Sequence, residues 1–276
     1  MPVSWDAIIL TGGRGIRLDG ADKAGLVGPD GRTCLERTID ACSDAESRVV
    51  VGPECDDPRV FSTREVPPYS GPARAILAGL AVLAGLAVLP CGARIGVQTP
   101  QKPRFTPRPF PPGRESGMTP VESPDSRPAE TQWVVAVACD IPRVGEAIPL
   151  LLDAAESVST DVDGVVAFTD GHPQWLCAAY RRSSLASACA RLPEHGADES
   201  VRSLVSNLTL SEIPIPEAIA HDIDTPADLR ALGFHQPVCH GDGSSVCHGD
   251  GSSVTACQTG NSSVFHNKSS SMYRKP

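Results

Sequence analysis

Short apolar runs alternate along the chain with stretches whose apolar positions return at helical spacing, the pattern of buried strands interleaved with amphipathic helices. Residues 6–10 form the first run, and it empties into a glycine-rich stretch. Residues 48–52 read as a second buried strand, short, β-branched and ended by Gly-Pro, and residues 60–63 as a brief third. Between the first two, Gly28-Pro29-Asp30-Gly31 marks a turn. Thr33 then caps a helix carrying Leu35, Ile39 and Cys42, with Glu36 three positions on to complete a capping box. A further helix begins near Ala73. Its uncharged stretch 75–89 is too short for a membrane span and is stopped by Pro90, so it reads as a buried helix. Residues 133–138 are a buried strand and residues 144–157 a helix with Leu150, Leu151 and Ala154 predicted to face inward. Residues 164–168 and 174–180 flank the turn Asp170-Gly171-His172-Pro173 and predict a hairpin-like antiparallel pair, with His172 exposed. A short helix over 200–207, a strand over 208–213 and a helix started by Thr225-Pro226 complete the series. Strand, helix, strand in this order predicts parallel pairing with right-handed crossovers. The fold class is therefore α/β, a mainly parallel sheet with helices on both faces.

Two segments break the pattern. From residue 99 to 131 prolines recur every few positions and apolar residues almost vanish, so the segment cannot bury enough surface to offset its ordering entropy. It reads as a disordered insertion, with a lid over the site as the alternative. After Gly233 the fold is complete, and residues 236–276 read as a low-complexity tail. That tail repeats Val-Cys-His-Gly-Asp-Gly-Ser-Ser in tandem at 238–245 and 246–253, too few copies for a solenoid. Its adjacent Cys-His pairs lack the usual zinc spacing. One domain over residues 1–235 with an inserted segment and a tail is the predicted organisation.

A net charge of −9 argues against a nucleic-acid surface, which carries a basic excess. The ten cysteines include no Cys-x-x-Cys pair, and Trp5 and Asp6 interrupt the first apolar run, so nothing resembles a signal peptide. Reduced thiols in a cytoplasmic protein are the simplest reading.

The chemistry concentrates in the stretch after the first strand, Leu10-Thr11-Gly12-Gly13-Arg14-Gly15-Ile16-Arg17, and on to Asp22-Lys23. Glycines let backbone N–H groups close on an anion, and successive N–H groups make an anion-binding nest. Arg14, Arg17 and Lys23 add positive charge around the same place, which suits a polyphosphate. The P-loop pattern fails, since Lys23 is followed by Ala24, and the dinucleotide fingerprint fails, since its third glycine is missing. Asp140 follows the strand over 133–138, where open α/β sheets bind ligands, although a turn-forming role is the alternative. Asp224 precedes the last helix and could act at a site or only orient that helix.

The run Leu-x-Gly-Gly-x-x-x-Arg, followed by Gly20, Asp22, Lys23 and Ala24, resembles the signature of nucleotidyltransferases, in the version of the molybdenum cofactor guanylyltransferase-like (MobA-like) family. Leu18 stands where that family has Met, and Asp19 where it has Gly. Cys139-Asp140-Ile141-Pro142 and Asp222-Ile223-Asp224-Thr225-Pro226-Ala227-Asp228 resemble two later motifs, the second with Asp222 and Asp224 in place of two Asn. The run from Gly196 to Leu204 resembles members of actinobacterial type, where Arg202 could face the acceptor or merely cap the sheet. The resemblance implies the nucleotide-diphosphosugar transferase fold, with nucleotide against Leu10, Thr11, Gly12, Gly13, Arg14, Lys23, Glu65 and Asp140. It implies that Glu65 receives the guanine edge, though a solvated surface acid is the alternative. It implies Mg²⁺ on Asp140 and Asp224, with Arg17, Lys23 and Asp140 serving catalysis. The implied reaction moves GMP from GTP to the phosphate of molybdenum-bearing molybdopterin and releases pyrophosphate. A molybdoenzyme or cofactor chaperone would be the partner, and no membrane is involved. Trp175 and Tyr180 fall on the stretch that shapes the acceptor side, where core packing is the alternative. Other readings are a cytidylyl- or sugar-1-phosphate nucleotidyltransferase of the same fold and a non-catalytic nucleotide-binding regulator.

Overall fold

The computed structural model describes residues 3–12, 18, 21–86, 131–192 and 199–237. The described residues belong to one compact unit, Met1–Pro237. Residues 99–130 of the predicted insertion (99–131) and residues 238–276 of the predicted tail (236–276) lie outside them, as do Gly13, Arg14 and Arg17.

A seven-stranded sheet organises the unit. In chain order its strands are β1 (Trp5–Leu10), β2 (Arg48–Val51), β3 (Phe61–Thr63), β4 (Trp133–Ala138), β5 (Gly164–Thr169), β6 (His172–Arg181) and β7 (Leu210–Pro214). Their order across the sheet is β3-β2-β1-β4-β6-β5-β7. All pairings are parallel except those of β6, which runs antiparallel to β4 and to β5. The mainly parallel α/β sheet and its hairpin are as the pattern predicts.

Register decides what meets at the edge of this sheet. Leu10 pairs with both Val51 and Ala138, and Val51 pairs with Thr63. The segments that follow β1, β2, β3 and β4 therefore leave from a common rim, the one carrying the β5–β6 turn. Ligands of open α/β sheets bind at that rim.

One face of the sheet is covered by α1 (Cys34–Ala41) and α3 (Val144–Ser157), the other by α2 (Pro72–Leu86), α4 (Arg182–Cys189) and α5 (Val201–Val205). The short α6 (Glu217–Ala220) and α7 (Pro226–Leu232) follow β7. The predicted capping box of Thr33 with Glu36 forms on α1, and the predicted helix start at Thr225-Pro226 forms on α7, where Thr225 and Asp228 make a second capping box. Within α2 the buried face includes Ala73, Ile76, Leu80 and Leu83, while Ala81, Ala84 and Gly85 are exposed. The helix that carries the uncharged stretch is thus half-buried rather than enclosed. Gly79 lets it close on β1, since a Cβ there would meet the Ile8 side chain at 2.8 Å. Among the described residues no helix is long and apolar enough to cross a membrane.

One inward assignment fails. Leu150 is 41% exposed, whereas Leu151 is buried and Ala154 partly so. The buried face of α3 runs through Val144, Ala147, Ile148, Leu151 and Ala155, and Leu150 lies about a third of a turn off it.

A third, smaller apolar cluster lies apart from the sheet: Leu18, Leu26, Cys34, Ile223 and Phe234. Val27 and His235 exchange backbone hydrogen bonds beside it, each 2.9 Å, tying the chain after α7 to the segment before α1.

Candidate active site

Lys23 stands in a tight turn set by its neighbours. Asp22 Oδ1 accepts from the Ala24 N–H at 3.1 Å, and the Ala24 carbonyl accepts from the Leu35 N–H at 3.0 Å. The backbone here is fixed, and the side chain reaches towards the sheet rim.

Asp140 comes from the end of β4, where Pro142 stops the strand. The Ile223 N–H donates to the Asp140 carbonyl at 2.9 Å, which brings the Asp222-Ile223-Asp224 segment against the β4 end. In an extended segment, positions two apart share a side. Ile223 is fully buried in the small cluster, leaving Asp222 and Asp224 on the other side. The Asp228 carboxylate accepts from the Asp224 N–H at 3.1 Å as well as from the Thr225 N–H at 2.7 Å. The helix cap therefore also fixes the backbone of Asp224.

The result is a cluster of charge. Asp140, Asp222 and Asp224 each bring a carboxylate oxygen, all within 4.8 Å of one another. Lys23 Nζ donates to Asp140 Oδ2 at 2.7 Å and to Asp224 Oδ1 at 2.5 Å. Burial works to lower the Lys23 pKa, but the Asp140 charge and the hydrogen bonds to both aspartates outweigh it, so the ammonium is held more firmly than usual. Asp222 is exposed in surface area, yet its pKa is raised, first by lost solvation and then by the neighbouring Asp224 and Asp140 charges. Such crowded carboxylates suit a hard divalent cation bound through oxygen, whose octahedral ligands stand about 3–4 Å apart. In the sequence Asp222 stands out only as a residue in place of Asn, and its place two residues from Asp224 is the available signal.

The other sequence-predicted residues divide. Leu10 and Thr11 are buried at the end of β1, and Gly12 is exposed, a Cβ there meeting none of the described residues within 4 Å. Gly13, Arg14 and Arg17 lie outside the described residues. Glu65 is 9% exposed, against the solvated-acid alternative. It follows β3 at the same rim, and its Oε1 accepts from the Tyr69 N–H at 2.8 Å, bracing the loop that carries the cis Val66-Pro67 bond. Tyr180 is fully buried and its hydroxyl donates to the Trp175 carbonyl at 2.9 Å, which makes it a core residue. Trp175 is half-buried and, with His172, Arg202 and Ser206, lines a cavity of about 620 Å³ beside the β5–β6 turn. His172 is exposed, as predicted.

The thiols at the site are inert. Burial pushes Cys34 up to about 12, and burial likewise raises Cys139 well above the usual thiol range. Neither supplies a thiolate nucleophile near neutral pH.

Three comparisons bear on this arrangement. Among curated proteins none matches the chain. Among solved structures, molybdopterin-guanine dinucleotide biosynthesis protein A of Archaeoglobus fulgidus is similar, with 18% identity, a TM-score of 0.51 and coverage of 82% of this chain and 96% of that one. The 2-C-methyl-D-erythritol 4-phosphate cytidylyltransferase of Francisella tularensis is similar at 12% identity and a TM-score of 0.51, covering 83% of this chain and 98% of that one. At such identities these likenesses speak to the fold, the nucleotide-diphosphosugar transferase fold. The model of the MobA-like NTP transferase domain matches residues 7–212, which span β1 to β7 and include Lys23 and Asp140. The chain belongs to the MobA-like NTP transferase family.

Proposed function

We propose that this nucleotidyltransferase moves GMP from GTP to the phosphate of molybdenum-bearing molybdopterin, using Mg²⁺ held by Asp140 and Asp224. The observation that carries the reading is the meeting of Lys23 with Asp140 and Asp224 at the rim where β1 and β4 end. A cation and carboxylates that share hydrogen bonds can serve one triphosphate.

In the reaction an acceptor phosphate oxygen attacks the α-phosphorus of GTP, the bond from that phosphorus to the bridging oxygen breaks, and pyrophosphate leaves with the electron pair. Bound Mg²⁺ would neutralise charge on the phosphate oxygens. Lys23 offsets charge building on the departing pyrophosphate, and Arg17 and Arg14 act from the glycine-rich stretch. Leu10, Thr11, Gly12 and Gly13 lie along the nucleotide. Asp222 would complete the carboxylate set that holds the metal. Glu65 faces the guanine edge while holding its own loop through Tyr69. The cavity lined by Trp175 and Arg202 takes the acceptor, offering a ring face and a cation to a phosphorylated heterocycle. Catalysis comes from positioning and electrostatics, with no covalent enzyme intermediate. The protein acts in the cytoplasm and passes its product to a molybdoenzyme or cofactor chaperone.

Pyrophosphate release from GTP, assayed with Mg²⁺ and molybdenum-bearing molybdopterin, tests this directly. Release is expected with the wild-type chain and lost in Asp140→Asn. Faster release from CTP, or with a sugar 1-phosphate as acceptor, would assign a different transfer on the same fold. Tight GTP binding without pyrophosphate release from any acceptor would make the chain a nucleotide-binding regulator.

A further inference from the structure

The Lys23 ammonium occupies the place a cation needs. Its Nζ is in direct contact with Asp140 Oδ2 and Asp224 Oδ1, at 2.7 and 2.5 Å. Divalent magnesium bonds carboxylate oxygen at about 2.1 Å, so a metal ion on Asp140 and Asp224 competes with the ammonium for the same oxygens. Two cations cannot share that space without strong repulsion. The backbone of Lys23 is pinned through Asp22 and Ala24, but its four-carbon stem carries the rotatable bonds by which an ammonium changes partners.

We propose that Lys23 keeps the cation position closed in the nucleotide-free enzyme and yields it when a polyphosphate offers the ammonium new partners, so that divalent metal and nucleoside triphosphate enter together and metal alone binds weakly. This rests on the nucleotidyl-transfer reading of the site. Three carboxylates against one ammonium leave the cluster with a formal charge of −2, since −3 and +1 sum to it. A divalent ion is therefore attracted, but it must first take oxygens that Lys23 holds. A triphosphate accepts the displaced ammonium and keeps it in the site as a phosphate ligand. A nucleoside without phosphates offers nothing in exchange. The same side chain is thus a counter-ion before binding and a substrate contact after it, and the site discriminates by phosphate charge before it reads the base.

Binding of Mn²⁺ to the full-length chain, followed by the electron paramagnetic resonance signal of the free ion, tests the exchange. For the wild type, a GTP analogue with a methylene between the α- and β-phosphorus should tighten Mn²⁺ binding by about tenfold or more, and guanosine should not. Lys23→Met and Lys23→Gln should each bind Mn²⁺ alone about tenfold more tightly than the wild type, with the analogue adding little. Circular dichroism establishes that the variants are folded, and the glutamine variant keeps the test open if the methionine one is not. The exchange is overturned if folded Lys23 variants bind Mn²⁺ no more tightly than the wild type, or if the analogue leaves wild-type Mn²⁺ affinity unchanged. Asp140→Asn separates the two ideas. If it binds Mn²⁺ and the analogue as well as the wild type, the reading of the site itself fails; if it loses both while the lysine variants gain nothing, only the exchange does.

Discussion

Replacing Gly52 by alanine puts a methyl group where the start of the glycine-rich stretch already lies. A Cβ at Gly52 would stand 2.0 Å from Thr11 Oγ1, 3.3 Å from Thr11 Cβ and 3.4 Å from the Gly12 N. Thr11 Oγ1 is not free to move without loss, because it donates to the Val51 carbonyl at 3.2 Å and is buried. Rotating it away forfeits that hydrogen bond, at about 1 kcal/mol. Gly52 also has φ of 154°, a backbone state that side chains rarely adopt, which adds about 1–3 kcal/mol. The sum is roughly 2–4 kcal/mol. For a domain of this size that lowers Tm by roughly 4–16 °C. Urea unfolding followed by tryptophan fluorescence measures the change. In the double variant Thr11→Ala with Gly52→Ala the oxygen that clashes is gone, so the two substitutions together should cost less than their sum by about 1 kcal/mol. A Gly52→Ala chain within about 0.5 kcal/mol of wild type, or strictly additive costs, would refute the close approach of β2 to the loop.

The other expectations concern the frame around the site. Asp6→Ala should cost about 3–5 kcal/mol in unfolding free energy, because it leaves the buried Arg182 guanidinium, now 2.7 Å from Asp6 Oδ2, without its counter-ion. Burial raises the Asp6 pKa above 3.8 although Thr131 and Arg182 pull it down. The native state thus holds that proton more tightly than the unfolded chain, so the Asp6 contribution is greatest below 3.8 and declines as pH rises through the raised native value. Asp6→Asn should abolish that decline, and a constant stability difference between it and wild type over about pH 3–7 would contradict the sign. Asp228→Ala should lose about 1 kcal/mol of α7 capping and weaken Mn²⁺ binding besides, since Asp228 also anchors the Asp224 backbone. The Thr225 hydroxyl first, then the backbone donors, hold the Asp228 pKa below 3.8, so its support is present above that value and fades as pH falls through the native one. A chain ending at Pro237 should keep the wild-type thermal shift with Mg²⁺ and GTP, and loss of that shift would give the tail a part in the nucleotide site.

Local signals carried the elements, and long-range pairing did not show in them. Residues 133–138 and 144–157 are bounded by a strand-ending proline and by turn chemistry, and they fold to those limits. The two capping boxes are likewise short-range devices, each complete within four residues. Leu150 was misplaced because it begins a run of three leucines after Pro149, and consecutive apolar residues cover too much of a helix surface to say which one faces in. The strand order β3-β2-β1-β4-β6-β5-β7 could not be read, because it depends on which distant strands pair. Lys23 and Asp140 were legible as charges beside strands. Asp222 was not, since its role depends on the fold bringing residues more than eighty positions apart to one carbonyl.

That carbonyl shows what sets the distances in the site. β4 delivers Asp140, but nothing in the sheet delivers Asp224. The Ile223 N–H reaches the Asp140 carbonyl, while its side chain enters the small cluster with Leu18, Leu26, Cys34 and Phe234. Alternation along the chain then turns Asp222 and Asp224 away from that cluster and towards the β4 end. Leu26, three residues past Lys23, is buried in the same cluster, and the Leu26 N–H donates to the Lys23 carbonyl. The lysine and its second carboxylate are thus held by one patch of apolar packing beside them in the chain, and the sheet fixes only the first carboxylate. Because a close-packed patch resists even one-methylene changes, its side chains constrain the charge geometry more tightly than the exposed loop residues between them could.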